Sequence, residues 1–482
     1  MLERARRSRD PRFDGKFFIG VTSTGIYCRP VCPAAPAASG RRIRYFMTAA
    51  AAQEAGFRPC LRCRPEAAPG TPAWLGTSAV VRRALRLIQD GALDEQSVPQ
   101  FAARLGIGPR HLDRLFTQHV GASPLTVAQT RRLHFAKRLI DESALPMTEI
   151  ALAAGFGSVR RFNDALRRAY GRAPRELRSE RLEPPPGGAA GEVRLALTYR
   201  PPYDWEQVHS FLRQRALPGV ERVDARSYTR VIRLEDCCAL IAVQPIPGRH
   251  ALELRVRGAS APALFPIAAA ARRMFDLSAD PQQIAAGLRA DGLMRALVRR
   301  RPGLRIPGAW EPFECAVRAV LGQQVSVAAA RTLAARLVAR AGQRIAIDAD
   351  GLTHAFPSPQ ALAAASLDGL GLTGARIAAL KALSQAVAAG HVAFDGAAGE
   401  VIERLQELPG FGAWTAQYIA LRALSEPDSL PVGDLVLRRM AGEGGALSAA
   451  ELGRRAEHWR PWRSYAAMHL WREASERGAR GG

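Results

Sequence analysis

Two close pairs of cysteines near the N-terminus, Cys28-x3-Cys32 and Cys60-x2-Cys63, constrain this chain more than any other feature. Thiol pairs at these spacings can each close on one ion, and two pairs joined by a loop supply a tetrahedral set of soft ligands. Four thiolates in that arrangement select Zn²⁺. Residues 1–75 hold too few apolar side chains to fold without such a metal. Spacing alone fits a closed structural zinc knot as well as a reactive thiolate centre.

A length of 482 residues predicts three or four domains. The formal charge of +24, from 68 basic against 44 acidic residues, favours a polyanionic partner, with nucleic acid foremost. Nearly all the basic residues are arginine, so a GC-rich coding bias accounts for part of the excess. Seven cysteines, four of them in metal-type pairs, fit a reducing compartment better than a disulfide framework. Cys237, Cys238 and Cys315 have no ligand-like neighbours and read as core or half-buried thiols. The basic first ten residues lead into no apolar segment, and the apolar stretch around 261–271 is short and interrupted by proline. A cytoplasmic protein without a membrane partner is expected.

From Ser78 to about Arg181 the pattern is helical and repeats itself. Phe101-Ala-Ala-Arg-Leu-Gly106-Ile is matched by Ile150-Ala-Leu-Ala-Ala-Gly155-Phe, and Gly121-Ala-Ser-Pro124 by Gly171-Arg-Ala-Pro174. Each copy has an apolar helix, a glycine turn and a second helix carrying arginines, the layout of a helix-turn-helix. A plain helical bundle with solvated arginines shares some of these features but not the duplication. Residues 182–191, with the run Glu183-Pro-Pro-Pro-Gly-Gly-Ala-Ala-Gly191, read as a linker, as does Pro65 to Pro72. The period then changes to two: Tyr228 to Leu234 alternates approximately and Leu252 to Arg257 strictly, predicting half-buried antiparallel strands. From about Ala261 the chain is expected to be helical to its end.

In that last stretch, Leu408-Pro409-Gly410-Phe411-Gly412-Ala413-Trp414 reads as a helix–hairpin–helix turn. Gly410 and Gly412 allow backbone N–H groups at a helix start to face a DNA phosphate. A glycine-terminated helix end would give the same letters. Downstream, Leu430-Pro431-Val432-Gly433-Asp434-Leu435 places a carboxylate where it would N-cap a helix over Leu435 to Met440. Capping and catalysis are compatible, since a helix N-terminus favours a negative charge.

These motifs carry three resemblances. The runs Gly25-Ile26-Tyr27-Cys28-Arg29-Pro30 and Ala55-Gly56-Phe57-Arg58-Pro59-Cys60 resemble the N-terminal zinc domain of Ada-type DNA alkylation-response proteins. There, one zinc thiolate removes a methyl group from a DNA phosphotriester. The resemblance implies Cys28 as the acceptor, with Cys32, Cys60 and Cys63 completing a one-zinc site. Such a site carries a formal charge of −2 that methylation reduces, which would strengthen DNA binding afterwards. The duplicated helix-turn-helix resembles the AraC-type domain, with Arg110 and Arg114 in one copy and Arg160, Arg161 and Arg167 in the other as candidate DNA contacts. Residues 192–476, through the hairpin, Asp434, Leu321-Gly-Gln-Gln-Val-Ser326 and Glu457 to Ala466, resemble AlkA-type DNA-3-methyladenine glycosylases.

The glycosylase resemblance implies Asp434 as the catalytic carboxylate and Trp414, Tyr418 and Trp471 as the wall of the damaged-base pocket. Each aromatic taken singly also fits ordinary core packing. The DNA wedge of that family falls at Gln324, a polar residue where some members have an apolar one. Strand-cutting relatives carry a lysine in the hairpin. Here that position is Trp414 and no lysine follows Lys381, so base removal without strand cleavage is expected. The Pro-Cys-His-Arg motif of the O6-methylguanine transferase module does not occur.

The expected fold is multidomain and mainly α. It comprises a zinc-bound α+β domain (1–75), a double helix-turn-helix (78–181), a linker (182–191), a strand-containing α+β subdomain (192–270) and an all-α helix–hairpin–helix glycosylase domain (271–482). The expected function is excision of alkylated purines such as 3-methyladenine, fused to a methylphosphotriester acceptor and regulator. The protein is expected to act as a monomer on double-stranded DNA, both alkylated DNA and promoter DNA. The alternative is a methylation-activated transcription factor with a weak or inactive glycosylase domain. A plainer version has the N-terminal parts only holding the glycosylase on DNA without sequence preference.

Overall fold

The structure, a computed structural model, describes residues 2–34, 42–69, 79–179, 191–235, 237–345, 351–442 and 445–480. Contacts divide the chain into two units: Met1–Pro201 with Val243–Arg272 and Leu277–Ala279, and Pro202–Ala242 with Arg273–Asp276 and Asp280–Gly482. Two of the chain's passages between them, after Pro201 and after Ala242, fall inside the stretch 192–270, and the others lie between Arg272 and Asp280.

In the first unit, β1 (Phe18–Val21), β2 (Ile26–Cys28), β3 (Ile43–Phe46) and, after helix α1 (Ala49–Glu54), β4 (Arg58–Pro59) form a sheet ordered β3-β1-β2-β4. β2 pairs antiparallel with β1 and parallel with β4, with Tyr27 opposite Pro59. That register carries Cys28 and Cys60 off neighbouring strands at the same end. Phe18, Tyr27 and Phe57 are buried beneath α1, and the Phe18 and Tyr27 rings meet edge to face at 5.8 Å. Pro65–Ala67 forms a 3₁₀ turn with Glu66 buried, so the segment expected to begin a linker at Pro65 belongs to the folded domain. The reason is tertiary: the turn packs on the helix Pro124–Glu142, where Arg64 pairs with Asp141 at 2.7 Å and Lys137 faces Glu66 at 3.8 Å.

The repeat is a pair of helix-turn-helices. α2 (Val98–Arg104) and α3 (Pro109–Val120) form the first, α4 (Pro124–Glu142) connects, and α5 (Met147–Ala153) and α6 (Val159–Tyr170) form the second. Leu112, Phe116 and Val120 of α3 are buried at the same helical spacing as Phe162, Leu166 and Tyr170 of α6. This is the i, i+4, i+8 stripe that turns one face of each helix inward and leaves the arginine face outside. Of the linker 182–191, only Gly191 lies among the described residues.

Beyond it come β5 (Glu192–Thr198), α7 (Trp205–Arg215), β6 (Glu221–Val223), β7 (Tyr228–Arg233), β8 (Cys238–Pro245) and β9 (Ala251–Arg257). In the first unit β5 and β9 are antiparallel, with Leu195 opposite Leu254. Leu252, Leu254 and Val256 are buried, as strict alternation predicts. In the second unit β6 and β7 pair antiparallel.

The rest of the second unit is helical apart from one expectation that needs correcting. Gln343–Arg344 pairs with His354–Ala355, two residues on each side, too short to leave a period-two signature. α8 (Pro312–Leu321), α9 (Val327–Ala341), α10 (Gly374–Ala388), α11 (Ala398–Gln406) and α12 (Ala413–Ala423) enclose a core that includes Leu321, Leu337, Leu380, Leu405 and Ile419. α13 (Leu435–Ala441) packs on α14 (Arg463–Arg480). Among the described residues, no helix is long and apolar enough to cross a membrane.

Candidate active sites: a carboxylate–aromatic pocket and a four-thiol centre

The second unit contains a cavity of about 530 Å³ lined by Phe211, Arg215, Trp414, Tyr418, Asp434 and Trp471, among others. Trp414 and Tyr418 are one turn apart on α12, so their rings stack, with centroids 5.2 Å apart and planes 7° from parallel. Trp471, from α14, meets Tyr418 edge to face at 6.1 Å. Asp434 N-caps α13 as its position predicts, Oδ1 accepting from the Leu437 amide at 2.9 Å. Its Oδ2 accepts from Trp414 Nε1 at 2.9 Å. Each carboxylate oxygen thus accepts from one donor, and the carboxylate lines the cavity.

Two features of this pocket escaped the sequence reading. Phe211 on α7 lies under two guanidinium groups, Arg215 at 3.9 Å and Arg422 at 4.4 Å from its ring centroid. Arg422 Nη1 donates to the Tyr418 hydroxyl at 2.8 Å, and burial pulls the Arg215 pKa down to about 10. The cavity is also lined by a cluster of two acids and two arginines. Glu314 accepts from Arg230 at 2.7 Å and from Arg318 at 2.9 Å, and Glu221 accepts from Arg318 at 3.0 Å. Burial opposes the Arg230 charge, but Glu314, Tyr228 and Glu221 outweigh it and raise its pKa. Only helical spacing could have linked Phe211 to Arg215, and nothing local ties either to α12.

The hairpin between α11 and α12 faces out at Gly410 and Gly412. Gly410 has φ +81°, and a Cβ there would lie 2.9 Å from the Ala379 Cβ, so the position demands glycine on both counts. Gln323 Nε2 donates to the Gly410 carbonyl at 2.9 Å and to Thr415 Oγ1 at 3.1 Å, tying the α8–α9 loop to the hairpin. The next residue, Gln324, is exposed and held at φ +56°. Val327 and Val436, both lining the cavity, are 43% and 41% exposed. Lys381 is engaged elsewhere, its Nζ donating to the carbonyls of Leu362 and Ala363, the latter at 2.7 Å.

In the first unit, the Sγ atoms of Cys28, Cys32, Cys60 and Cys63 all lie within 4.8 Å of one another. Cys60 and Cys63 are buried, and Cys28 and Cys32 half-buried. The Arg29 amide donates to Cys63 Sγ at 3.3 Å, and the Arg29 guanidinium is held by Asp14 and by the Cys63 carbonyl. Among the described residues, four sulfur donors converge without a carboxylate, a set that fits one Zn²⁺. The residue before Cys28 is fixed from the other side. Tyr27 Oη accepts from Gln53 Nε2 at 2.9 Å and lies 2.9 Å from His134 Nε2 on α4. Burial and the nearby Arg138 hold the His134 pKa down to about 4, so the neutral ring can accept a hydrogen bond from the Tyr27 hydroxyl.

Arg110 and Arg114 on α3, and Arg160, Arg161 and Arg167 on α6, are all exposed. Of the three remaining cysteines, Cys315 is buried and Cys238 half-buried as expected. Cys237 is exposed, because it sits in the turn leading into β8 rather than in the sheet.

Four family models match this chain: the metal binding domain of Ada over residues 2–66, a helix-turn-helix domain over 101–180, the AlkA N-terminal domain over 194–311, and the HhH-GPD superfamily of base excision DNA repair proteins over 317–463. The chain is 43% identical over 474 residues to the probable bifunctional transcriptional activator/DNA repair enzyme AlkA of Mycobacterium tuberculosis, an alignment covering 97% of this chain and 95% of that protein. It is 37% identical over 281 residues to DNA-3-methyladenine glycosylase 2 of Escherichia coli, covering 57% of this chain and 95% of that protein. A 3-methyladenine DNA-glycosylase from Archaeoglobus fulgidus shares the fold with a TM-score of 0.52 at 22% identity, covering 58% of this chain and 98% of that one. With a zinc-binding Ada domain, a helix-turn-helix pair and an AlkA glycosylase fold in one polypeptide, the chain belongs to the family of bifunctional transcriptional activator/DNA repair enzymes AlkA.

Proposed function

We propose that this chain removes alkylated purines such as 3-methyladenine from double-stranded DNA by hydrolysing the N-glycosidic bond, and that Cys28 separately accepts methyl groups from DNA phosphotriesters. The observation that carries the first activity is the carboxylate of Asp434, bonded to Trp414 beside the stacked Trp414–Tyr418 pair. A purine methylated at N3 or N7 is cationic and already a good leaving group. It needs a π-rich pocket and a carboxylate to stabilise the sugar cation and guide water. Stacking and cation–π attraction in such a pocket contribute about 1–2 kcal/mol each. Trp414, Tyr418 and Trp471 hold the extruded base, and Asp434 stabilises the oxocarbenium charge and orients water against C1′. Gly410 and Gly412 present backbone amides to a phosphate, and Gln324, exposed and held at a positive φ, enters the gap left in the stack. The only lysine near this half, Lys381, caps a helix, so no amine is offered for strand cleavage.

At the thiol centre, bound Zn²⁺ supplies the charge that keeps the cysteine sulfurs deprotonated and nucleophilic at neutral pH. Cys28, half-buried and lining the cavity there, attacks the methyl carbon of a phosphotriester. An S–CH₃ bond forms, the O–CH₃ bond breaks, and its electron pair restores an anionic phosphodiester.

One experiment addresses both activities. Duplex DNA treated with a methylating agent is incubated with the wild type and with Asp434→Asn, free bases are quantified, and the peptide containing Cys28 is weighed by mass spectrometry. Release of methylated purine by the wild type alone, with a methyl on Cys28, is expected. Undiminished release by Asp434→Asn would remove that residue from the chemistry. Methylated Cys28 without base release would favour the regulator reading, for which the exposed arginines of α3 and α6 provide the DNA-contacting surface.

A further inference from the structure

The carboxylate–aromatic cavity of the second unit holds hydrogen-bond donors that the excision chemistry leaves unused. Besides Asp434, the acids lining it among the described residues are Glu221 and Glu314, and Arg230 and Arg318 neutralise both. Arg215, at the end of α7, has no carboxylate partner among the described residues. Its Nη1 reaches the Phe211 carbonyl and Gln214 Oε1 only at 3.4 Å, and among the described residues Nε and Nη2 find no acceptor. The guanidinium lies 3.9 Å from the Phe211 ring centroid, on the cavity wall. A pKa of about 10 leaves it charged at neutral pH.

Tyr418 supplies a second donor. Arg422 is fastened by the carbonyls of Pro307 and Gly308, and its Nη1 donates to the Tyr418 hydroxyl at 2.8 Å. A guanidinium accepts nothing, so the hydroxyl proton points elsewhere. Among the described residues no acceptor takes it, and Tyr418 lines the cavity. Arg422 also stands 4.4 Å from the Phe211 centroid and 5.6 Å from that of Tyr418, bracing the rings beside both donors.

Two donors with no acceptor of their own suit a base edge that accepts. A 6-oxo purine offers O6 to them, whereas a 6-amino purine turns an N–H donor toward a guanidinium. A donor facing a donor leaves both unpaired, and such a mismatch discriminates more strongly than shape does.

We propose that Arg215 and Tyr418 donate to O6 of the extruded base, so that this pocket favours alkylated 6-oxo purines, the guanine type, over alkylated 6-amino purines. The proposal rests on the reading of the cavity as the damaged-base pocket, and it gives Arg215 a part in specificity rather than in bond breaking.

The test incubates the full chain with duplex DNA treated with radiolabelled dimethyl sulfate, which carries 3-methylguanine and 3-methyladenine, methylated at the same ring nitrogen. The two lesions compete in one reaction, so the ratio of their initial release rates reports relative kcat/KM and is independent of the fraction of protein folded. Arg215→Met keeps a long side chain over Phe211 and removes the donors. It is expected to lower the ratio of 3-methylguanine to 3-methyladenine release about tenfold relative to the wild type. Arg215→Lys, charged but without the planar fork, should fall between. Tyr418→Phe keeps the stacked ring and should shift the ratio in the same direction. An unchanged ratio in Arg215→Met would overturn the proposal, whether both rates hold or both fall together, the latter marking a structural role. A wild type that releases neither base would remove the glycosylase reading itself, and the specificity with it.

Discussion

The indole of Trp414 donates its N–H to the carboxylate of Asp434 at 2.9 Å, across 20 positions of sequence. The aromatic wall and the proposed catalytic group therefore orient one another. Replacing Trp414 by Phe keeps a ring in the stack and removes the donor. A lost hydrogen bond to a charged group is worth about 1.5–3 kcal/mol, so single-turnover release of methylated purine should fall about tenfold or more, with little change in stability. Asp434→Asn should keep the helix cap, since Asn caps as well as Asp, and abolish release.

Burial raises the Asp276 carboxyl to about pH 6, although it accepts from the Ile306 amide at 3.2 Å and from the Tyr465 hydroxyl at 3.0 Å. Its folded pKa lies above the unfolded one, so its contribution to stability is complete below about pH 4 and lost as pH rises through about 6. The size is about 2 kcal/mol, discounted for partial exposure. Asp276→Asn, neutral at every pH and tolerant of the +50° φ found there, should remove this dependence. Denaturant titrations of both proteins between pH 4 and pH 7.5 should show their stability difference widening in favour of Asn as pH rises.

Chelating the metal, or replacing Cys63 by Ser, should unfold the β1–β4 domain locally, because its small core depends on the bound ion. Amide hydrogen exchange over Phe18–Val21 and Ile26–Cys28 is expected to accelerate sharply, with recovery of the wild type on adding Zn²⁺. Unchanged protection after chelation would show that the aromatic core holds this domain alone.

Tyr27→Phe should leave Gln53 and His134 without their shared partner in a buried site. A loss of about 1–3 kcal/mol is expected in zinc-saturated denaturation, with full metal content retained. Loss of zinc instead would mean that the hydroxyl supports the ligand set rather than the packing onto α4.

Much of the site was legible because its signals are local. Cys28 and Cys32 are close enough in sequence for their spacing to state their purpose. Asp434 announces its cap by preceding a helix, and Trp414 and Tyr418 meet because a helix brings i and i+4 together. The duplication from Phe101 to Pro174 could be read by self-comparison. Pro65 was misread for the complementary reason: composition suggested a linker, and its packing on α4, with Arg64 paired to Asp141, folds it back.

The sequence by itself determined the zinc ligands, the two helix-turn-helices, the hairpin and the carboxylate, because each is written within one or two turns of chain. Tertiary structure decided which of them meet. It set Tyr27 against His134, 107 positions away, brought Phe211 and Arg215 to the pocket of Trp414, and placed Arg172 at the rim of the thiol cavity. Those contacts follow from how helices and sheets close-pack, and no periodicity or spacing encodes that choice.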